Sequence, residues 1–375
     1  MTAPSFLGVL EEIITAVVEP AAADVDRAGV FPRAAVSALG EGGLLGLMSA
    51  PEVGGSGGSL GDASQVVRRL GAVCGSTAMV MCMHYSATAV IEQHGREEVR
   101  RAIAAGSHLS TLAFSETGSR SHFWAPLGTA AASGDRVVLN ASKSWVTSAG
   151  EADSYVWTSR PTTDAEGATL WLVPSGANGL KVAGPFDGLG LRGNGSSPVL
   201  AHDVEVAATA RLGADGAGLD VALGVVLPVF QVLSASMSLG LMDVAIATTV
   251  DHVTSARFEH LGQTLADQPV VRQHLADMRN TADAAAALVA DALAALSTGR
   301  ADAPLRMLQS KAVAGQAALD VLDVAMRVGG GAAFRKDIGL ERHFRDARAS
   351  AVMAPTVDAL QDFIGRAVCG LPLFG

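Results

Sequence analysis

Between Asp220 and Asp243 the chain runs for 22 residues without a charge, VALGVVLPVFQVLSASMSLGLM. A stretch of that length is either a membrane span or a helix buried on every side in a large helical domain. Pro228, Gln231, Ser234, Ser236 and Ser238 interrupt it, and no basic anchors flank it. A buried helix is therefore expected, and with it a bundle large enough to cover it. No membrane association is expected.

The surrounding sequence supplies such a bundle. Over 375 residues, 49% are hydrophobic and 17% charged, which excludes a disordered chain and provides ample core. Residues 1–108 read as helices joined by Gly/Pro loops: FPRAAVSALGEGGLLGL has helical spacing, PEVGGSGGSLGD is too glycine-rich for regular structure, and helical patterns resume with ASQVVRRLGAVCGSTAMVMCMHYSATAVIEQHG and REEVRRAIAAG. From residue 109 the texture changes to short β-branched or aromatic runs (LSTLAF, GTAAASGDRVVLNASKSWVT, DSYVWTSR, TLWLVP, LKVAGP) between Gly, Asp and Ser clusters. ASGDRVVLNA predicts a hairpin turning at Gly134-Asp135. The strands fill one block, 109–215, and do not alternate with helices, so a separate β domain is expected in place of a doubly wound sheet. Helix returns over 216–375, predicted at 218–254, 268–298, 303–328 and 338–367. Alanine-rich stretches such as RNTADAAAALVADALAALSTG suit close packing there. The fold expected is mainly α with a central β domain.

Composition also narrows function. With 37 acidic against 27 basic residues the net charge is -10, and no Lys/Arg run interrupts it, so nucleic-acid binding is disfavoured. Cys74, Cys82 and Cys369 form an odd set without metal-ligand spacing; free thiols in a reducing cytoplasm are expected, and no metal. The start, MTAPSFLGVLEEIITAVVEP, lacks the basic region of a signal peptide.

Three short stretches could carry chemistry. GLGLRG (188–193) matches G-x-G-x-x-G on paper, but strand-like NGSSPVLAHDVEV follows it where a helix should begin, so a β-domain turn is expected instead of a dinucleotide site. FSETGSRSHF (114–123) follows an apolar strand and offers hydroxyls, a carboxylate and a histidine to a polar ligand. SKSWVTSAGEAD (142–153) places an indole beside a threonine hydroxyl, a pairing able to hold a planar ring. Alone, each is equally an ordinary loop or a core tryptophan.

Taken in order, these stretches resemble the acyl-CoA dehydrogenase superfamily of flavoproteins along almost the whole chain. IEQHGREEVRRAIAAGSHLSTLAFSETGSRS is similar to the approach to its threonine-glutamate-proline loop, and KSWVTSAGEAD to its lysine-x-tryptophan-isoleucine-threonine-asparagine-glycine motif. LADQPVVRQHLADM, AMRVGGGAAF and ERHFRDAR match three C-terminal landmarks. The resemblance implies an N-terminal helical domain, a β-barrel-like middle domain and a C-terminal four-helix bundle, with FAD between β domain and bundle. It implies that Trp145 lies against the flavin ring, that Thr147 hydrogen-bonds near its reactive nitrogen, and that Phe114 and Ser115 touch its pyrimidine side. Arg257 would reach the FAD pyrophosphate across a subunit interface. Gly330 and Gly331 would lie near the adenosine half, and Thr356 at the phosphates. Gln268 and Arg327 complete the cofactor set, the latter in place of a glutamine, and Ser121 faces substrate. A homotetramer or homodimer is implied.

The chain departs from the family at its chemistry. Where the family reads tyrosine-glutamate-glycine-threonine, with the glutamate removing the substrate α-proton, this chain reads Met353, Ala354, Pro355 and Thr356, and alanine cannot take a proton. The aspartate and arginine that the family turns toward CoA are replaced by Pro228 and Gln231. His122 and His84 are then the candidate bases, since an imidazole pKa suits proton transfer. Three functions compete. The first is a flavin-dependent oxidoreductase acting on a CoA or carrier-protein thioester or a related small molecule, passing electrons to an acceptor protein. The second is a two-component monooxygenase served by a flavin reductase. The third is an inactive flavin-binding subunit.

Overall fold

The computed structural model describes residues 5–119, 122–163 and 166–373. They form two compact units, one of residues up to 66 with 76–188 and 192–230, the other of 67–75, 189–191 and 231 onward.

The first unit begins with helices α1 (Phe6–Ile13), α2 (Glu19–Ala28), α3 (Arg33–Glu41), α4 (Leu60–Val73), α5 (Gly75–His94) and α6 (Glu97–Ala104). The second half of α4 belongs to the other unit. Eight strands follow: β1 (Ser110–Ala113), β2 (Thr129–Ser133), β3 (Arg136–Val146), β4 (Ser154–Ser159), β5 (Thr169–Pro174), β6 (Leu180–Val182), β7 (Ser197–Ala207) and β8 (Arg211–Leu212). They make two four-stranded sheets, β1-β4-β5-β8 and β2-β3-β7-β6, antiparallel except for the parallel pair β1–β4. The predicted hairpin is present: Ser133 pairs with Arg136 across Gly134-Asp135, and Gly134 supplies the positive φ (+63°) that such a two-residue turn needs. The texture change at residue 109 is no break in packing. Ala87, Val90 and Ile91 of α5 and Ile103 of α6 share one buried cluster with Leu112, Val156 and Leu170 of the first sheet. Each of the valine, leucine and isoleucine side chains gains about 1.5–3 kcal/mol from burial.

The uncharged stretch lies in a helical run, Gly218–Ser255, which opens with the short α7 (Gly218–Val221) and whose main part is α8 (Leu227–Ser255), in the second unit from Gln231 onward. By length and composition that run and α9 (Pro269–Thr298) could each cross a membrane. The side chains of α8 are instead those of a core helix: Val232, Leu233, Met237, Leu241 and Met242 are all buried. Glycines let the C-terminal half of α4 pack closely against it. A Cβ on Gly240 would sit 2.1 Å from the Arg68 carbonyl oxygen, and one on Gly71 would sit 2.9 Å from that of Met237. Arg68 then holds Asp243 through two nitrogens, at 2.7 and 3.1 Å. After α8 come a two-residue hairpin of β9 (Arg257–Phe258) and β10 (Gln263–Thr264), then α9 and α10 (Ala303–Ala333), which are neighbours joined by a four-residue turn, 299–302.

The predicted helix 338–367 is two helices, α11 (Leu340–Val352) and α12 (Val357–Val368). Pro355 is the cause, since it has no N–H for the helix ladder and drives the residue before it out of helical geometry. The carbonyls this break exposes are taken by the buried ammonium of Lys311 on α10, which donates to Ser350 O (3.3 Å), Met353 O (3.1 Å) and Pro355 O (2.8 Å). Thr356 restarts the chain as N-cap, its Oγ1 accepting from Ala359 N at 3.2 Å.

Loop 188–193 is not solely a β-domain turn. Its segment 189–191 packs in the second unit, where Leu191 N donates to the buried Asp346 at 2.6 Å and Arg345 donates to Leu189 O at 3.1 Å. A Cβ on Gly190 would lie 2.4 Å from the Arg345 carbonyl oxygen, so that glycine serves a close backbone approach and not a phosphate.

Candidate active site

Alternation along β3 places Val137, Leu139 and Lys143 on the inward side, each buried. An ammonium there must be paired, and Glu116 is the partner. The two side chains are 0% and 2% exposed. Lys143 Nζ donates to Glu116 Oε1 at 2.5 Å and to the carbonyl and hydroxyl oxygens of Thr158, both at 2.7 Å. The other Glu116 oxygen accepts from Leu127 N and Gly128 N at 2.5 and 2.9 Å. Burial pulls the lysine down to about 8 against the pull of the carboxylate, which leaves it charged at neutral pH.

This ion pair stitches together the two stretches that carry Phe114, Ser115, Trp145 and Thr147. Glu116 and Lys143 form an isolated bridge; Ser144 N donates to Ser115 O at 2.9 Å, and Thr117 N to Ser142 O at 3.1 Å. Beyond Lys143 the pairing of β3 with β7 slips, and Trp145 takes φ +56°. A tryptophan at positive φ is strained by about 1–3 kcal/mol. The result is an indole 69% exposed, edge-on to Phe186 with ring centres 6.4 Å apart. Thr147 is buried beside it, its Oγ1 3.1 Å from Ser196 Oγ. The strap 146–149 is pinned to 194–196 by Ser148 N to Asn194 O (2.9 Å) and Ala149 N to Gly195 O (3.1 Å). A large apolar face held outward at the expense of backbone strain, next to a fixed hydroxyl, fits a planar polar ring system such as a flavin.

The remaining predicted cofactor residues lie in the second unit. Arg257 is exposed on β9, opposite Thr264, and Gln268, the N-cap of α9, turns its amide toward Gln263 of the same hairpin at 3.2 Å. Arg327 is exposed on α10 with Nη2 3.4 Å from His274 Nε2. Gly330 breaks α10 with φ +52° and ψ −135°, a conformation suited to glycine, and nothing lies within 4 Å of where its Cβ or that of Gly331 would be. That open backbone, the exposed guanidinium of Arg257 and the N-terminal end of α12 at Thr356 are the donor types that receive phosphate and ribose.

The two candidate bases fare differently. His84 is fully buried in α5 with both ring nitrogens engaged by backbone: Nδ1 accepts from Ser110 N at 3.1 Å, and Nε2–H donates to Leu45 O at 3.1 Å. Burial lowers its pKa to about 4. It cross-links helix, loop and strand, so it is withdrawn as a base. His122 is exposed and stacks on Trp124 with ring centres 4.6 Å apart. Ser121 lies outside the described residues. Ala354 sits between α11 and α12, on the backbone that Lys311 holds.

Sequence reasoning missed Lys143 and Glu116 as a pair, although a lysine in register with Val137 and Leu139 signals a buried partner. It also missed Lys311, which stands among small and apolar residues in α10 and carried the same signal. A cleft of about 880 Å³ in the first unit, between the α5–α6 junction and the ends of β5 and β7, contains none of the predicted residues. Its polar groups largely satisfy one another, as in His108 with Ser154 (2.8 Å), Asp153 with Leu109 N (2.7 Å) and Arg136 with Glu205 (2.8 Å).

Three sequence families match the chain in succession: the acyl-CoA dehydrogenase N-terminal domain over residues 5–106, the middle domain over 111–204 and the C-terminal domain over 216–369. The short-chain specific acyl-CoA dehydrogenase of human mitochondria is 29% identical over 90% of this chain and 82% of its own length. The probable acyl-CoA dehydrogenase YngJ of Bacillus subtilis is 27% identical over 93% of each chain. Among solved structures, butyryl-CoA dehydrogenase from Megasphaera elsdenii superposes with a TM-score of 0.91 over 97% of each chain at 23% identity.

Proposed function

The chain belongs to the acyl-CoA dehydrogenase family, and from that premise we propose that it is an FAD-dependent oxidoreductase that oxidises an acyl thioester without the usual carboxylate base. The observation that carries this is the outward indole of Trp145 beside the fixed hydroxyl of Thr147. When bound, FAD supplies the two-electron acceptor. Trp145 covers one face of the ring and excludes water from it. Thr147 donates to the ring edge, held in place by Ser196. Phe114 and Ser115 line the pyrimidine side. Arg257 reaches the pyrophosphate across a subunit interface, Thr356 takes the phosphates, Gly330 and Gly331 admit the adenosine half by close backbone approach, and Gln268 and Arg327 add hydrogen bonds. His122 is the remaining candidate to receive the α-proton.

Alanine at position 354 specifically favours a second reading, a monooxygenase of the same fold served by a separate flavin reductase. Such a reaction needs no α-proton base. One experiment separates the two. The FAD-loaded protein is mixed anaerobically with a panel of acyl-CoA and carrier-protein thioesters while flavin absorbance is followed. Bleaching supports dehydrogenation; oxygen-dependent product formation with a flavin reductase, and no bleaching, overturns it. Failure to retain any flavin overturns both. The same reading places the protein in the cytoplasm as a homotetramer or homodimer with an electron-acceptor protein as partner. The exposed Phe334, Val352 and Val368 support self-association, and sedimentation velocity tests it.

A further inference from the structure

Three polar side chains of α8 fall on one face: Gln231, Ser234 and Ser238 recur at i, i+3 and i+7. One end of this stripe is satisfied, because Ser238 Oγ meets Ser350 Oγ of α11 at 2.9 Å. The other end is not. Gln231 and Ser234 are both 0% exposed. Among the described residues, neither the amide nitrogen nor the amide oxygen of Gln231 has a hydrogen-bond partner, and neither does the Ser234 hydroxyl. Nearby serines show the ordinary solution for a buried helix: Ser236 bonds back to Val232 O at 2.7 Å and Ser238 to Ser234 O at 3.2 Å. Ser234 makes no such bond. Burying an unmet amide and hydroxyl is costlier than burying apolar side chains of the same shape, so their presence calls for a partner supplied from outside the chain.

The chemistry of that partner follows from the unmet atoms. An amide with donor and acceptor both unused, and a hydroxyl one turn further on, complement a neutral group that itself donates and accepts. They do not complement a carboxylate or phosphate, which would call for arginine or lysine. We propose that Gln231 and Ser234 form a specificity subsite for a hydroxyl or carboxamide on the acyl part of the substrate. The inference rests on the acyl-thioester reading above, and it narrows the substrate class from plain fatty acyl chains to acyl groups carrying a neutral polar function.

The test uses the FAD-loaded full-length protein and a short series of ω-hydroxyacyl-CoA thioesters, each beside the isosteric chain ending in methyl. Binding is measured by anaerobic equilibrium dialysis, which needs no turnover, and the melting temperature of each ligand-free variant is recorded. Wild-type protein is expected to hold the best hydroxyl ligand about tenfold or more tighter than its methyl counterpart. Gln231→Met and Ser234→Ala should each bring that ratio close to one. Ligand-free Gln231→Met should melt at or above the wild-type temperature, because it removes unmet polar atoms. A lower melting temperature would assign the amide a structural role through buried water and overturn the subsite. Equal wild-type binding within every pair overturns the subsite and leaves the acyl-thioester reading standing. No binding of any thioester overturns both.

Discussion

Replacing Lys143 by methionine keeps most of the apolar stem and deletes the ammonium, so it isolates the electrostatic work of the buried pair. Three donated bonds disappear, at 2.5, 2.7 and 2.7 Å, and Glu116 keeps only the backbone N–H groups of Leu127 and Gly128. An interior carboxylate stripped of its cation costs about 3–5 kcal/mol, a large share of the stability of an ordinary domain. Glu116→Gln should cost a comparable amount, because it strands the ammonium instead. The double variant Glu116→Gln/Lys143→Met removes both charges and should recover most of either loss. Urea unfolding of the full-length chain reads this directly, since Trp157 and Trp171 report from the sheet next to the pair. The single variants should also release flavin more readily, because the pair fixes the two stretches bearing Ser115 and Trp145. Two results would refute the reasoning: a loss below about 1 kcal/mol for Lys143→Met, which is the worth of an exposed pair, or single-variant losses that simply add in the double variant.

Three further outcomes follow from the same geometry. His84 has a folded pKa near 4 against 6.5 unfolded; as pH falls between those values the unfolded chain takes a proton that the folded chain refuses. Its stabilisation is therefore complete above pH 6.5 and lost by pH 4, about 3 kcal/mol in all, and a His84→Gln variant whose urea midpoint tracks pH as steeply as wild type over that window would sink the assignment. Ala354→Glu should accelerate anaerobic flavin bleaching by an acyl thioester by about 10²–10⁴-fold, the usual worth of a positioned base; an unchanged rate would mean that position 354 does not face the α-carbon. Arg257→Ala should weaken FAD retention about tenfold or more, as expected for a lost charge-assisted bond to phosphate, and dialysis showing wild-type retention would remove Arg257 from the site.

The elements most visible in the sequence were those set by local rules. The hairpin at Gly134-Asp135 needs only a positive φ at a glycine, and the uncharged stretch before Asp243 reads as a core helix once its interrupting proline, glutamine and serines and its lack of basic anchors are weighed. Position 355 was also legible in principle, since proline ends a helix by its own covalent structure, yet a single helix was expected over 338–367. What local pattern could not supply was partnership across the chain. His84 looked like a candidate base because nothing near it in sequence reveals that Leu45 O and Ser110 N occupy its ring. Lys143 gave an inward register but not the identity of Glu116, 27 residues away. Gln231 read as a lost arginine; only its burial without partners turns the loss into a feature.

The backbone around Ala354 has a consequence for how such an enzyme diverges. Lys311 and Thr356 hold that segment through carbonyl oxygens and an N-cap, none of which depends on the side chain at 354. The support for a carboxylate at the position the family assigns to it can therefore persist when the carboxylate is gone. Alanine and glutamate codons can differ by a single base. A lineage with this architecture can lose or regain its acid in one mutational step without rebuilding the fold, so kinship in structure fixes the chemistry here far less firmly than it fixes the shape.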